Sequence, residues 1–147
     1  NKQYYAVICG KPVSEQGELV DYLDKDTRNT GRAVAVEEQE RFRFPDAKKA
    51  VLQYRLLQYV EKTDLSLMEI HIVTGRFHQI RVQMSHAGMA LLGDAKYGND
   101  AIQKRGRELG VTHVALCAYS IAFWHPSQKE KMCFQIRPES KAFSGFW

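Results

Sequence analysis

The chain reads as an α+β domain, a mixed, mostly antiparallel sheet with a few helices, in one unit spanning residues 1–147. Two runs carry most of that reading. Leu52, Tyr54, Leu56 and Val60 alternate with Gln53, Arg55 and Glu61, and Met68, Ile70 and Ile72 alternate with Glu69 and His71, which is the period of half-buried strands. They are joined around Lys62-Thr63-Asp64, so a hairpin follows. Only two stretches, one starting near Phe77 and one from Asp100 to Leu109, read as helices.

The remaining elements follow in chain order. Tyr4 to Cys9 reads as a strand, Gln16-Gly17 and Asn29-Thr30-Gly31 as turns, and Arg32 to Val36 as a short strand. Glu37 to Lys49 is a charged, partly irregular connection into the hairpin. A loop follows the Phe77 helix to Gly98, and strands are expected at Ala115 to Phe123 and Lys131 to Ile136. No repeat, low-complexity tract or Pro/Gly/Ser-rich linker divides the chain.

With 147 residues, 44% hydrophobic and 26% charged, the chain can bury one core. No apolar run approaches the roughly 18 residues of a membrane span, and no signal peptide opens the sequence. Cys9, Cys117 and Cys133 are odd in number, far apart and set among apolar neighbours, which reads as buried thiols in a reducing, cytoplasmic compartment. His71, His86, His113 and His125 lack ligand spacing, so no metal is expected. The net charge of +4 suits a polyanionic partner, and the bases gather in Arg41 to Arg55 and Lys96 to Arg107. Either cluster alone is equally what a solvated face looks like.

The stretch Thr74-Gly75-Arg76-Phe77-His78-Gln79-Ile80-Arg81-Val82-Gln83-Met84 is the most informative in the chain. On a helix at about 100° per residue, Phe77, Ile80, Met84 and Gly88 share an arc that includes Arg81, with Arg76, Gln79, Gln83 and His86 opposite. An inward guanidinium cannot shed its charge, so a carboxylate or phosphate should meet it. That partner makes Arg81 either a structural buried ion pair or part of a site. Gly88-Met89-Ala90-Leu91-Leu92-Gly93-Asp94-Ala95-Lys96-Tyr97-Gly98 continues directly as a loop carrying an acid, a base and a tyrosine.

Together these residues, TGRFHQIRVQMSHAGMALLGDAKYG, resemble the signature of the RluA-type RNA pseudouridine synthases. Lys2 to Gly10 is similar to that family's K-x-Y-x-A-V strand, Gly17 to Asp26 to its L-x-KD segment, and Ala47 to Ala50 to its GK-x-A turn. Leu116-Cys117-Ala118 and Phe123-Trp124-His125-Pro126 are similar to its closing L-H-A and F-x-HP. Three departures touch substrate contacts: Gln83 and Cys117 stand where histidines are common, and Met89-Ala90 where His-Pro is frequent.

The resemblance implies isomerisation of uridine in ribosomal or transfer RNA to pseudouridine, without metal or cofactor. It implies that Arg81 partners a catalytic aspartate and that Tyr4, also catalytic, stacks on the extruded base and helps remove its C5 proton. Arg76, His78 and Gln79 at the helix start, and Lys96 in the loop, would bind the RNA, where free N–H groups and the positive helix end favour phosphate. Arg76 behind a Thr74 cap, and a loop shaped by Gly93-Asp94 and Tyr97-Gly98, are the purely structural readings of the same residues.

The family's R-L-D-x-x-T-S-G segment, which carries the nucleophile, has no match before Lys2. Leu23-Asp24-Lys25-Asp26-Thr27 has its L-D-x-x-T spacing but aligns better with the L-x-KD turn, so Asp24 reads as a turn residue. The chain therefore reads as the C-terminal part of a catalytic domain, with an RNA-binding remnant without chemistry as the alternative. Three expectations follow. The nucleophile lies outside residues 1–147. Arg81 faces an open cleft with an ion or water in place of the aspartate. The Tyr4 strand offers an unpaired edge through which copies could associate.

Overall fold

The structure, a computed structural model, describes residues 2–26, 31–125, 130–135 and 141–146, with side chains beyond Ala118 described only at Ala142, Phe143 and Phe146. Asn29, Thr30, Pro126, Ile136 and the side chain of Cys133 lie outside that description. The elements run β1 (Lys2–Cys9), β2 (Gln16–Lys25), β3 (Ala33–Val36), a 3₁₀ helix (Glu38–Arg43), β4 (Lys48–Val60), β5 (Leu65–Ile72), α1 (Gln79–His86), α2 (Asp100–Leu109), β6 (Leu116–His125), β7 (Glu130–Gln135) and a second 3₁₀ helix (Lys141–Phe146).

Among the described residues these strands form one seven-stranded sheet, in the order β3-β2-β4-β5-β1-β6-β7. Every neighbouring pair is antiparallel, and the α+β architecture is the expected one. The hairpin forms as the alternation demands, with Val60 opposite Leu65 and Asp64 in a left-handed conformation at the turn. A register shift between Leu56 and Gln58 leaves Leu57 over as a bulge.

Two sequence readings fail here. Gln16-Gly17 does not turn; it opens β2, the longest element the sequence left unread. The reason lies in the pairing of Gly17 with Tyr54, because a Cβ at Gly17 would sit 2.8 Å from the Tyr54 hydroxyl. The glycine is there to let the ring lie across the strand. The second failure concerns β1. It is bonded to β5 on one side (Tyr4 opposite Ile70) and to β6 on the other (Tyr4 opposite Ala118), so it has no free edge. The sheet's edges are β3 and β7, and the expected association through the Tyr4 strand loses its basis.

The sheet buries both faces over its centre. On one, Ala6, Ile8, Leu52, Met68 and Ile70 pack against Ile80 and Met84 of α1 and against Met89 and Leu91 of the following loop. On the other, Val7, Leu65 and Leu67 pack against Leu92, Val111, Ala115, Ala142 and Phe143. A third cluster, Leu23, Ala33, Ala50, Val82 and Tyr97, ties α1 and the loop to β2, β3 and β4. Gly93 makes the loop's tight passage possible: its φ is +79°, and a Cβ there would collide with the carbonyl oxygen of His113.

Ile70 is fully buried in the middle of the sheet, so Ile70→Ala should cost about 2–5 kcal/mol in denaturant unfolding. Val20→Ala, at a position 48% exposed on β2, should stay within about 0.5 kcal/mol.

Candidate active site

The helix expected from Phe77 begins two residues later, because His78 is its N-cap in a left-handed conformation, φ 54°. Thr74 consequently does not cap it. The Thr74 hydroxyl instead accepts from the Val51 N–H (2.9 Å) and donates to Gln79 Oε1 (2.8 Å). Gln79 is 4% exposed, its Oε1 also accepts the Arg76 N–H, and its Nε2 donates to the Val51 carbonyl. A side chain so enclosed and so engaged anchors the helix to β4 and does not reach for a phosphate. The expected RNA-contacting role of Gln79 is therefore withdrawn.

The expected arcs fail at two positions, Phe77 because it precedes the helix and Gln83 because buried acceptors receive it. Gln83 is fully buried, its Nε2 donating to the Leu19 and Ala50 carbonyls and to Asp21, whereas Phe77 lies outside the helix and is 58% exposed. Arg76 is exposed, with its Nε donating to the Lys49 carbonyl at 2.9 Å.

Arg81 is partly buried, and it meets a carboxylate of its own chain. Its Nε donates to Asp94 Oδ2 (3.0 Å) and its Nη2 to Asp94 Oδ1 (2.8 Å), with side-chain exposures of 21% and 1%. The expected open cleft with an ion or water standing in for the carboxylate is thus corrected: Asp94 fills that place. Oδ1 of Asp94 additionally accepts the N–H groups of Lys96 (3.1 Å) and Tyr97 (3.0 Å). Burial raises the Asp94 carboxyl, but the Arg81 and backbone hydrogen bonds outweigh it and hold the group below the usual carboxylate range. The same hydrogen bonds push Arg81 still higher.

Of the five guanidinium N–H groups, two go to Asp94. The Nη1 edge of the fork has no acceptor recorded among the described residues.

Tyr97 binds this pair to the rest of the site. Its ring is 8% exposed and lies 5.1 Å from the guanidinium carbon of Arg81 and 5.1 Å from that of Arg32. Its hydroxyl accepts the Ala33 N–H (2.9 Å) and stands 2.7 Å from His78 Nδ1. The Tyr97 hydroxyl and His78 Nδ1 thus share one hydrogen bond, whose direction is set by the imidazole tautomer. Burial first, then the charges of Arg81 and Lys96, lower the His78 pKa against a smaller opposing effect of Asp94. The ring is therefore neutral near pH 7. Lys96 is exposed, its Nζ donating to the Gly31 carbonyl at 2.8 Å.

The structure thus brings Arg81, His78 and Lys96 to one neighbourhood around Asp94 and Tyr97, with Arg76 beyond Gln79. Tyr4 is half-buried on the sheet face that α1 covers, packed against the cluster containing Ile80 and Met84, and it makes no recorded contact with Arg81. Asp24 sits on β2 opposite Val34, accepting the Lys25 N–H. Alternation turns it away from Leu23, which packs toward Val82 of α1, and hence away from Arg81. Asp94 and Arg32 join the site without a role read from the sequence, whereas Tyr97, like Lys96, is a loop residue for which the sequence offers both a cleft-lining and a loop-shaping reading. The acid and tyrosine of the loop were visible in the sequence, but an irregular loop has no period from which to choose the partner of Arg81.

Cys9 and Cys117 are free and half-buried, with both thiols raised by burial. Among the described residues no group of three or more His, Cys, Asp or Glu side chains is placed to hold a metal ion, and no helix is long and apolar enough to cross a membrane.

Comparison with known proteins decides the family. The family model described as RNA pseudouridylate synthase matches residues 1–86, more than half of the chain. The chain belongs to the RNA pseudouridylate synthase family. It is 30% identical over 129 residues to the ribosomal large subunit pseudouridine synthase C of Rickettsia conorii, covering 88% of this chain and 40% of that protein. It is 34% identical over 134 residues to the enzyme of the same name from Haemophilus influenzae, covering 90% and 39%. The fold is similar to that of human RNA pseudouridylate synthase domain containing 1, with a TM-score of 0.74 at 17% identity over 95% of this chain and 54% of the other. The chain spans about two-fifths of the length of these curated relatives. The family match takes in β1 to β5 and all of α1 but stops at His86, so the place of Asp94 and Tyr97 is a result of this structure.

Two groups make the site acid-sensitive. Asp94 has a depressed pKa, so its contribution to stability is complete above the unfolded value near 3.9 and is lost as pH falls through the folded one. His78 is also depressed, so the unfolded chain takes up its proton first and stability declines once pH drops below about 6.5. Melting temperature should therefore fall from pH 7 to pH 4. Asp94→Asn should lower stability by about 3 kcal/mol at pH 7, the low end for a broken buried pair because Arg81 keeps 21% exposure. It should also flatten the part of the acid limb below pH 5.

Proposed function

We propose that this chain is the RNA-binding and arginine-bearing part of an enzyme that converts uridine in ribosomal or transfer RNA to pseudouridine in the cytoplasm. The supporting observation is the half-used fork of Arg81. Asp94 takes Nε and Nη2 and fixes the plane of the guanidinium, leaving the Nη1 edge for a second carboxylate. A catalytic aspartate approaching that edge would be kept ionised and oriented for attack on the ribose or base.

The reaction breaks the bond between the base nitrogen N1 and C1′, turns the base, joins C5 to C1′, and releases the C5 proton while N1 takes one up. Nothing is gained or lost overall, so no redox cofactor is called for. Tyr4 would stack on the turned base, on the sheet face that α1 covers, and its hydroxyl would help remove the C5 proton. Arg76 and Lys96 would hold phosphates, both being exposed, and neutral His78 would offer its second ring nitrogen as a hydrogen-bonding group. In this reading Arg81 and Tyr4 are the catalytic residues of the segment, and Asp94 positions Arg81.

A second reading has its own observation. Because Asp94 already satisfies the charge of Arg81, these residues fold into a consistent site without any nucleophile, and an RNA-binding protein without chemistry would need no more. Tritium release from C5-labelled uridine in bulk RNA separates the two. Residues 1–147 alone should release none, and Asp24→Ala should change nothing in a protein that also carries an R-L-D-x-x-T stretch.

In such a protein Arg81→Ala should lower the single-turnover rate by about 10²–10³ at saturating RNA. Arg81→Lys should retain part of the activity, and Tyr4→Phe should bind RNA yet stall. A near-normal rate for Arg81→Ala, or turnover by residues 1–147 that vanishes with Asp24→Ala, overturns the catalytic assignment.

A further inference from the structure

The sequence places Phe77 on the buried arc of a helix, and the structure does the opposite. The ring stands 58% exposed on the connection between β5 and α1, at the rim of a groove of about 450 Å³. Lys25, Lys48, Arg76, Asp24 and Asp46 line the same groove, between the ends of β2 and β4. Single exposed aromatics are ordinary on protein surfaces. This one is held in place. Its ring is stacked on the His78 ring with centroids 3.8 Å apart and planes 24° from parallel. His78 is in turn fixed by the 2.7 Å hydrogen bond to Tyr97, whose hydroxyl is locked by the Ala33 N–H. The outer face of Phe77 is thus the open end of a preorganised aromatic stack.

We propose that this groove binds one unpaired ribonucleotide beside the target uridine, its base stacked on Phe77 and its phosphate held by Arg76 and Lys48. The proposal rests on the reading of the chain as part of an RNA-modifying enzyme. Three features select that occupant. The volume falls in the range of roughly 300–1,000 Å³ typical of small-ligand sites, which suits a nucleotide and is too small for a duplex. Three cations against two carboxylates match a group that joins an anionic phosphate to amino and imino donors on a base edge. A flat face free on one side suits a base that has left its own stack. Arg76 is oriented for the task, since its Nε bond to the Lys49 carbonyl leaves the Nη groups for a phosphate.

The test uses the whole chain, a fluorescein-labelled single-stranded ribohexanucleotide and a duplex RNA of the same length, with binding followed by anisotropy across a salt series. Phe77→Ala should weaken the single strand about tenfold and leave the duplex unchanged. Phe77→Tyr, which keeps the flat face, should bind like the parent, and Phe77→Leu, which keeps apolar volume without it, should behave like the alanine. Lys48→Ala should reduce the salt slope by about 0.7.

The proposal is overturned if the parent chain does not bind the hexanucleotide, if folded Phe77→Ala or Phe77→Leu binds it normally, or if single strand and duplex lose affinity alike. Tritium release keeps the two readings apart. Phe77-dependent binding in a protein that never isomerises uridine would refute the enzyme and leave the groove. Normal turnover and KM in Phe77→Ala would refute the groove and leave the enzyme.

Discussion

An arginine on a helix facing the interior must be neutralised there, and in this chain Asp94 does it. The carboxylate is all but completely removed from water, a cost no single hydrogen bond offsets. Four N–H groups converge on it, two from the guanidinium and two from the backbone of Lys96 and Tyr97, so the charge is bound from both sides. Those bonds also fold the loop. By taking the N–H groups two and three residues ahead, Asp94 curls the backbone and delivers Tyr97 to the space between α1 and β3. There the phenol accepts from Ala33 and its ring lies beside both Arg81 and Arg32. Helix, loop and edge strand are thereby held by one electrostatic knot.

The helix on which this depends is short, eight residues, and does not stand by intrinsic propensity. Buried glutamines secure it beside the apolar contacts of Ile80, Val82 and Met84. Gln79 bridges its first turn to Val51 and Thr74, and Gln83 reaches the carbonyls of Leu19 and Ala50 and the carboxylate of Asp21. Polar anchors of this kind fix position more strictly than hydrophobic contact because each has a direction. The orientation of Arg81 is accordingly set at its root by the two glutamines and at its tip by Asp94. The remaining edge of the fork is left as a rigid, directional donor. That rigidity is what a catalytic arginine requires, and it is also what a purely structural pair would display.

Charge around the knot is uneven in a way that bears on the partner. Arg32, Arg81 and Lys96 surround Tyr97 with Asp94 as the acid in contact, and Arg76 and Lys48 continue the basic surface into the groove beneath Phe77. Low pKa at His78 follows from this field as well as from burial, so near neutral pH the imidazole adds no further positive charge and acts as a hydrogen-bonding link. An RNA strand is the polyanion that the family membership brings into consideration. The arrangement separates a positioned arginine in the interior from solvated cations outside.

Local pattern alone determined the hairpin of β4 and β5, α2 and the short strand at Ala33, because alternation and helix caps are properties of adjacent residues. It also determined that Arg81 needs an anionic partner, since burying an unpaired guanidinium is prohibitive whatever the fold. An ordered run of family residues from Thr74 to Gly98 made the family legible as well. What the sequence could not decide was which acid answers Arg81, where β1 lies in the sheet, and which way Phe77 and Gln79 face. Each of these except the facing of Phe77 is set by residues distant in the chain. β1 is internal because β5 and β6 both pair with it, Gln79 is buried because Val51 and Thr74 offer it partners, and Phe77 is outside because His78 delays the start of α1. Asp94 is the partner because the loop closes over the helix, and loop closure is a property of the packed tertiary structure that no periodicity in the sequence encodes.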